Sequence, residues 1–183
     1  MVLDDAEFVK RAREIRLLIT DVDGVLTDGS ILLDEDGREL KQFHILDGFG
    51  VKSWQRAGHR IAVLSGRRSA AVRHRCLELD IDPVVQGHSN KIPAYLEMTR
   101  SLGVTREQVC FIGDDLPDLP LILGSGIGAT VSTGVKELKE RADWVSTRPG
   151  GAGALRELIE ALLVAQGRWS EVVDYYSRSV DDE

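Results

Sequence analysis

The sequence predicts a single α/β domain built on a doubly wound, mainly parallel sheet. Its 183 residues, 43% hydrophobic and 29% charged, are typical of one globular domain that buries a substantial core. Strand-like apolar runs also alternate with helical patterns along the whole chain. Because such alternation is typical of parallel strands joined by right-handed crossovers, we expect a Rossmann-like sheet with helices on both faces.

The strand-like segments are short and rich in β-branched residues, whereas the helical segments are longer and amphipathic. Strands are predicted at residues 15–20, 60–64, 83–86, 108–112, 126–130 and 143–146. Helices are predicted at residues 4–13, 47–56, 69–79, 91–102, 116–123, 135–141 and 154–165. The chain is therefore expected to form one domain over residues 1–183.

Residues 30–43 depart from this alternation. Two short apolar stretches flank an Asp36-Gly37 pair, which is a strong β-hairpin signal. We expect a small β-hairpin flap that leaves the sheet after the first strand, with no large cap domain. Residues 167–183 are predicted to form a polar C-terminal tail, which is either mobile or docked on a neighbouring copy through its aromatic side chains.

Net charge, hydropathy and cysteine placement limit the partners and the cellular compartment that the sequence predicts. The formal net charge of −7 argues against a general nucleic-acid or anionic-membrane binder, although an anionic small molecule remains possible. No apolar run approaches the roughly 20 residues that span a bilayer, and the first five residues are acidic where a signal peptide would be basic. Cys76 and Cys110 lie in apolar segments, as in a reducing compartment. We therefore expect a cytoplasmic protein.

A pair of carboxylates follows the first predicted strand. Asp21 and Asp23 are two residues apart, so in an extended segment both side chains project in a similar direction. Two adjacent carboxylates repel each other, and a divalent cation such as Mg²⁺ relieves that repulsion. An ordinary capped turn is the alternative, since Asp and Gly are common wherever a strand ends.

A second acidic group follows another apolar strand. Gly113, Asp114 and Asp115 come directly after it, and Asp118 lies in the same loop or in the first helical turn. If the two strands are neighbours, Asp114 meets Asp21 at one sheet edge and completes a site of hard oxygen ligands. A helix N-cap with acidic residues in its first turn is the alternative.

Two further segments offer groups for an anion. Ser65, Gly66 and Arg67 follow the strand at 60–64 and supply a hydroxyl and backbone amides, while Lys91 begins a predicted helix and supplies a point charge. Each is unremarkable alone, because Ser-Gly turns and solvated lysines at helix starts are common. Together, they suit a phosphate group.

These four motifs, in this order and after these elements, resemble those of the haloacid dehalogenase superfamily of phosphohydrolases. The segments 21–29, 43–50, 87–91 and 150–151 resemble more narrowly the 3-deoxy-D-manno-octulosonate 8-phosphate phosphatase family. That family hydrolyses a phosphorylated sugar acid in lipopolysaccharide precursor synthesis, lacks a large cap and forms homotetramers in which a neighbour closes the site. The resemblance covers residues 15–166.

The resemblance implies a mechanism that agrees with the residue chemistry. Asp21 attacks phosphorus and forms an aspartyl-phosphate, while Asp23 protonates the leaving alkoxide and then activates water. Mg²⁺ is held by Asp21, by the backbone carbonyl of Asp23 and by Asp114. The remaining implied groups are Ser65, Gly66 and Lys91 on the phosphate, and Asp115 and Asp118 in support.

For the sugar acid, the resemblance points to the segment 44–48 and to nearby cations. The substrate-contacting residues it implies are Asp23, His44, Asp47, Gly48, Lys52, Arg67 and Arg75. A forked guanidinium suits a carboxylate. The alternative is that these arginines form the solvated face of a helix and that His44 is a flap residue satisfied by a hydrogen bond.

Three positions depart from the family pattern. The family commonly has Asn where this chain has His44 and Arg where it has Leu46, and often Arg where it has Ala152. These departures leave the phosphatase chemistry intact but do not fix the identity of the sugar acid. A nonulosonate 9-phosphate or another sugar phosphate therefore remains an alternative substrate. A non-catalytic oligomerisation module is a second alternative, disfavoured by the complete acidic motifs.

Overall fold

The core of the protein is a six-stranded parallel sheet. The structure, a computed structural model, describes residues 5–177. In chain order the strands of both sheets are β1 (Leu17–Thr20), β2 (Leu32–Leu33), β3 (Glu39–Leu40), β4 (Arg60–Ser65), β5 (Val84–Gln86), β6 (Val109–Gly113), β7 (Ile127–Thr130) and β8 (Trp144–Val145). The large sheet has the order β5-β4-β1-β6-β7-β8, and all its neighbours pair in parallel. The predicted α/β fold class is confirmed.

Two helical layers cover the sheet. One contains α1 (Asp5–Ala12), α2 (Ile45–Arg56), α3 (Ala70–Glu78), α7 (Ala154–Ala165) and α8 (Trp169–Tyr176), and the other contains α4 (Ile92–Ser101), α5 (Leu119–Gly124) and α6 (Lys136–Lys139). Alternating side chains of β1 feed the two cores, with Leu18 in the first and both Leu17 and Ile19 in the second. The central strand is thus buried on both faces, as its continuous apolar run predicts.

Two predicted helices are shorter or less regular than expected. The segment predicted as a helix at 116–123 begins as a 3-10 turn, Leu116–Asp118, before α5 starts at Leu119. Pro117 and Pro120 lack the amide hydrogens that a longer regular helix needs, which suits them to the first turns of two short ones. The helix predicted at 135–141 is regular only over α6. Residues 1–4, which include the first residue of the helix predicted at 4–13, lie outside the described residues.

Residues 32–40 form the predicted hairpin. β2 pairs with β3 in an antiparallel ladder that sets Leu32 opposite Leu40. The Asp34 carboxylate accepts hydrogen bonds from the amides of Asp36 and Arg38, at 3.0 and 2.7 Å, and so closes the turn. Leu32, Leu33 and Leu40 are all more than half exposed. Within residues 5–177, the hairpin is the only strand pairing outside the six-stranded sheet, and no large cap domain is present.

The start of the predicted C-terminal tail is helical. Tyr176 of α8 packs against Phe49 of α2 with ring centroids 5.2 Å apart, and the guanidinium of Arg56 lies 3.8 Å from the Tyr175 ring centroid. Val172 is buried in the same layer. Residues 169–176, expected as part of a polar tail that is mobile or docked on a neighbouring copy, instead form a helix that packs on its own chain through its apolar side. Residues 178–183 lie outside the described part.

Across residues 5–177, no helix combines the length and apolar character that crossing a membrane would require.

Candidate active site

A cleft of about 410 Å³ lies where β4, β1 and β6 end at their carboxyl edges. This is where ligands bind in open α/β sheets. Its lining residues are Asp21, Asp23, Gly29, Ser65, Gly66, Arg67, Ser89, Lys91, Asp114, Asp115, Pro117 and Asp118. The sheet order therefore brings together motifs that lie almost a hundred residues apart in sequence.

Lys91 is the central cation of the cleft. Its Nζ lies 2.8 Å from Asp21 Oδ2 and 2.6 Å from Asp118 Oδ1, and its side chain is only 3% exposed. Burial opposes the charge on Lys91, but the two carboxylates outweigh it and raise its pKa. Lys91 therefore remains protonated and fixed between the two acids.

Asp21 and Asp114 form an acidic pair at the base of the cleft. Burial, reinforced by neighbouring carboxylates, raises the pKa of Asp21 to about 6 and that of Asp114 to about 7. Carboxylate oxygens of Asp21, Asp114 and Asp118 all lie within 4.8 Å of one another. Such convergence of hard oxygen donors, whose mutual repulsion Lys91 offsets only in part, fits a divalent cation such as Mg²⁺.

Asp118 differs from the other two acids in its bonding. One carboxylate oxygen accepts from Lys91, and the other accepts from the Asp114 amide at 3.1 Å. Asp118 thus holds Lys91 and the loop after β6, while the Asp114 carboxylate remains available. The Asp115 side chain accepts from the Leu116 amide at 2.7 Å and caps the following 3-10 turn.

Glycines let the loops after β1 and β6 approach each other. Gly24 has φ of +81°, and a Cβ there would lie 2.0 Å from Asp114 Oδ2. A Cβ at Gly150 would lie 1.8 Å from the Gly24 carbonyl oxygen, and the Gly151 amide donates to Val25 at 2.9 Å. The Gly150-Gly151 pair therefore supports the loop that carries Asp21 and Asp23.

The side of the cleft opposite the acidic pair offers hydroxyl and amide groups. Ser65 ends β4 and is buried, and its carbonyl accepts from the Gly87 amide at 3.0 Å, which ties the two neighbouring loops together. Gly66 follows it, and Ser89 comes from the loop before α4. The 87–91 motif does not by itself mark Ser89 as a site residue. The approach of Ser89 to the cleft depends on the pairing of β5 with β4.

Sequence reasoning also missed Lys41, which follows β3 of the hairpin. Its Nζ donates to Asp23 Oδ1 and lies 3.3 Å from Glu39 Oε1, while Arg67 contacts the same Glu39 oxygen at 2.6 Å. No local signal marks Lys41, because a lysine on an exposed hairpin is ordinarily a solubility residue. Only the fold of the hairpin over the cleft brings it to Asp23.

The segment at 44–48 does not line this cleft of its own chain, and its expected contact with the substrate stays a prediction. His44 caps α2 by accepting from the Leu46 amide at 3.3 Å, and Asp47 is buried and accepts from the Arg156 amide at 2.9 Å. Gly48 packs against Arg75, where a Cβ would lie 2.5 Å from a guanidinium nitrogen. The physical reason is that Asp47, in the first turn of α2, is buried against the start of α7, while Gly48 packs on Arg75 of α3.

The two remaining predicted cations also have other partners. Arg75 pairs with Glu78 at 2.8 Å, and Lys52 pairs with Asp80 at 2.6 Å. Of the predicted substrate-contacting side chains, only Asp23 and Arg67 line the cleft of this chain.

A second cavity of about 510 Å³ lies at the opposite, amino edge of the sheet, lined partly by arginines. Arg13 and Arg168 donate there to the carbonyls of Ala165 and Ala57, at or near the ends of α7 and α2. These cations therefore complement helix C-termini. The acidic cluster lies at the other edge, so the 410 Å³ cleft is the candidate active site.

Comparison with known proteins agrees with this geometry. A family model described as haloacid dehalogenase-like hydrolase matches residues 80–157. With its parallel sheet and the acidic cleft at the ends of β1 and β6, the chain belongs to the haloacid dehalogenase-like hydrolases.

Individual relatives identify a narrower family for this chain within the haloacid dehalogenase-like hydrolases. The chain is 40% identical over 166 residues to the 3-deoxy-D-manno-octulosonate 8-phosphate phosphatase KdsC of Escherichia coli, covering 91% of this chain and 88% of that protein. The Moraxella catarrhalis phosphatase of that name, crystallised with magnesium, phosphate and KDO, superimposes with a TM-score of 0.93 at 35% identity, over 95% of this chain and all of that one. The cobalt-bound Haemophilus influenzae phosphatase gives 0.85 at 40% identity, over 87% and 94%. The chain belongs to the 3-deoxy-D-manno-octulosonate 8-phosphate phosphatase family.

Proposed function

We propose that the protein is a Mg²⁺-dependent phosphomonoesterase that hydrolyses 3-deoxy-D-manno-octulosonate 8-phosphate. The observation that carries this proposal is the convergence of Asp21, Asp114 and Lys91 in one cleft, in a chain 40% identical to an enzyme with that activity. The cleft volume of about 410 Å³ suits a phosphorylated sugar acid.

In this proposal, Asp21 and Asp114 hold Mg²⁺ together with the Asp23 backbone carbonyl. When bound, the cation supplies positive charge that offsets the repulsion between an anionic nucleophile and an anionic phosphate. The fit rests on the raised pKa values of the two carboxyls, because groups that resist ionisation beside each other gain most from a cation. Relatives crystallised with magnesium or cobalt support the same assignment.

Asp21 is the nucleophile of the proposed reaction. Its Oδ1 accepts from the Val22 amide at 2.7 Å, and Lys91 holds Oδ2, so the carboxylate is fixed before the substrate arrives. An Asp21 oxygen bonds to phosphorus as the bond to the sugar oxygen breaks, which gives an aspartyl-phosphate. Asp23 gives its proton to the departing alkoxide and then takes one from the water that hydrolyses the intermediate.

Ser65, the Gly66 amide and Lys91 bind the phosphoryl oxygens. Their hydroxyl, amide and ammonium donors stabilise the charge that spreads over these oxygens in the transition state. Asp118 keeps the Lys91 ammonium in place through its 2.6 Å contact, and Asp115 supports the same loop as a cap. Arg67 also lines the cleft, and its forked guanidinium suits the substrate carboxylate.

The active protein is proposed to be a cytoplasmic homo-oligomer, with a tetramer expected. A two-stranded hairpin is marginally stable alone, and the hairpin of this chain exposes Leu32, Leu33 and Leu40. A second copy covering these leucines also offers a route for residues such as His44 or Arg75 to complete a neighbour's site. No nucleic-acid or membrane partner is proposed for a chain of net charge −7.

The test is phosphate release from a panel of sugar phosphates that includes 3-deoxy-D-manno-octulosonate 8-phosphate and a nonulosonate 9-phosphate, with Mg²⁺ or with EDTA. We expect Mg²⁺-dependent turnover of the octulosonate ester, and its loss in Asp21→Asn. Asp174→Asn, an exposed change of the same chemistry on α8, is the matched control and should retain activity.

The other outcomes separate the alternatives. Preferred turnover of the nonulosonate or another ester keeps the chemistry and rejects the substrate, a result that Leu46 and Ala152 would explain. No turnover of any ester by folded, Mg²⁺-loaded protein supports the non-catalytic oligomerisation module instead.

A further inference from the structure

The hairpin presents opposite chemistry on its two sides. Leu40 points outward and is 51% exposed, whereas the flanking side chains of Glu39 and Lys41 are 16% and 2% exposed. Neighbouring side chains of an extended segment project to opposite sides, so Glu39 and Lys41 share the inward side. A lysine that only keeps an exposed strand soluble would instead extend its ammonium group into water.

The inward side places a line of alternating charges along the cleft. Lys41 donates to Asp23 Oδ1 and lies 3.3 Å from Glu39, and Glu39 contacts Arg67 at 2.6 Å. Asp23 and Arg67 both line the cleft, whereas Lys41 does not. The hairpin therefore contacts two cleft residues through one buried cation and one partly buried anion.

Burial restricts the geometry of Lys41. An ammonium removed from water is costly unless it keeps its hydrogen-bond partners, so Lys41 must remain against the Asp23 and Glu39 carboxylates. The hydrogen bond goes to Oδ1 of Asp23, and within residues 5–177 no protein group donates to Oδ2. Lys41 thus restrains rotation of the Asp23 carboxyl group while leaving one oxygen for the substrate.

We propose that Lys41 is a positioning residue, which holds the Asp23 carboxyl group where it transfers a proton to the leaving oxygen. This inference rests on the proposed function, in which Asp23 is the acid. It assigns the hairpin a part in the chemistry of its own subunit, in addition to any contact with a second copy. The alternative is that Lys41 only attaches the hairpin to the domain.

Leaving-group dependence separates these two roles. An alkoxide needs a proton as it departs, whereas p-nitrophenolate leaves without one, and kcat/KM reports the steps through this departure. We expect Lys41→Met to lower kcat/KM for 3-deoxy-D-manno-octulosonate 8-phosphate about 30-fold, and for p-nitrophenyl phosphate about 3-fold or less. Lys41→Arg should restore most of the loss, because it keeps a donor cation of similar reach.

The reference variants are Asp23→Asn, which removes the acid itself, and Lys136→Met, which removes a lysine from an exposed pair with Glu140 on α6. Asp23→Asn should show the same selective loss, and Lys136→Met no loss. Lys41→Gln provides a second removal if Lys41→Met does not fold, as judged by its thermal midpoint. If wild type hydrolyses a different alkyl phosphate, that ester replaces the octulosonate.

The outcomes distinguish the positioning role of Lys41 from the acid role of Asp23. Equal losses for both esters, or none, in a folded Lys41 variant would overturn the positioning role while leaving Asp23 as the acid. Absence of selective loss in Asp23→Asn would overturn the acid assignment and the inference with it. Selective loss in both Asp23→Asn and Lys41→Met, with rescue by Lys41→Arg, supports the inference.

Discussion

Some residues at the base of the cleft lower the stability of the folded state, because the site holds like charges close together. Asp21 and Asp114 are pressed together by the ends of β1 and β6, and burial and repulsion raise their pKa values to about 6 and about 7. Lys91 relieves only part of this repulsion. The metal-free protein therefore carries a local electrostatic strain that a divalent cation should remove.

This strain predicts the pH dependence of the metal-free protein. Because both folded-state pKa values lie above the usual 3.8, the folded state binds more protons than the unfolded state between about pH 4 and pH 7. The free energy of unfolding from these two groups is thus greatest at low pH and is lost as pH rises through 6 and 7. We expect the thermal midpoint in EDTA to fall by about 5 °C more in wild type than in Asp21→Asn between pH 5 and pH 8.

The same scans with Mg²⁺ complete this prediction. Mg²⁺ should raise the wild-type midpoint more at pH 8 than at pH 5, because protons compete for the carboxylates at the lower pH. Asp21→Asn should be the more stable protein in EDTA at pH 8, and should gain little from Mg²⁺. Parallel curves for the two proteins, with equal responses to Mg²⁺, would contradict the electrostatic account.

Among the residues of the site, those directly after strands could be predicted from sequence. Asp21 and Asp114 each follow an apolar strand and Ser65 ends one, so their approach at the carboxyl edge depends only on strand order. Ser89 in the cleft and Lys41 against Asp23 could not be predicted, because both are placed by loops whose paths no periodicity describes. Asp47 shows the converse: its motif suggests a ligand contact, but its environment makes it a buried hydrogen-bond acceptor.

At the level of elements, the contact between α2 and α7 supports the site from behind. Gly153, at the N-cap of α7, has no side chain to satisfy the first amides of that helix. Asp47 of α2 accepts from the Arg156 amide instead, and burial raises its pKa although this amide and its neighbours oppose the rise. The start of α7 thus depends on another helix, just after the Gly150-Gly151 loop that contacts the Asp21 loop.

This arrangement predicts a structural effect of Asp47→Ala. Loss of the cap should lower the free energy of unfolding by roughly 1–3 kcal/mol, because buried amides lose their acceptor. Urea unfolding would measure the change, with Asp174→Asn as an exposed control. KM for the sugar phosphate should change little. A large rise in KM with unchanged stability would instead support the substrate-contacting role that the sequence motif suggests.

At the level of the whole molecule, the outer side of the hairpin is the surface that most needs a partner. Leu32 and Leu40 pair across the ladder, and Leu33 adjoins them, with all three exposed. The inner side of the same hairpin contacts the cleft through Glu39 and Lys41. Association through the outer side should therefore stabilise the inner contacts as well.

We predict that Leu32→Glu disrupts the proposed oligomer. A carboxylate placed among apolar side chains at an interface costs more than the association gains there. Size-exclusion chromatography with light scattering should show a smaller species than wild type, and kcat/KM for the sugar phosphate should fall. Leu123→Glu, which changes an equally exposed leucine on α5, is the matched control and should keep the wild-type mass. An unchanged mass for Leu32→Glu would argue against assembly through the hairpin.

The sequence by itself determined the fold class, the hairpin and the acidic and Ser-Gly motifs at the ends of the strands. These features depend on local periodicity and on residues that directly follow strands, which is information that a short window of sequence contains. The tertiary structure alone decided that Lys41 bonds to Asp23, that Asp47 caps α7 and that α8 docks on α2. Each of these contacts joins segments far apart in sequence, and each depends on burial and charge at a place that exists only once the helices have packed on the sheet.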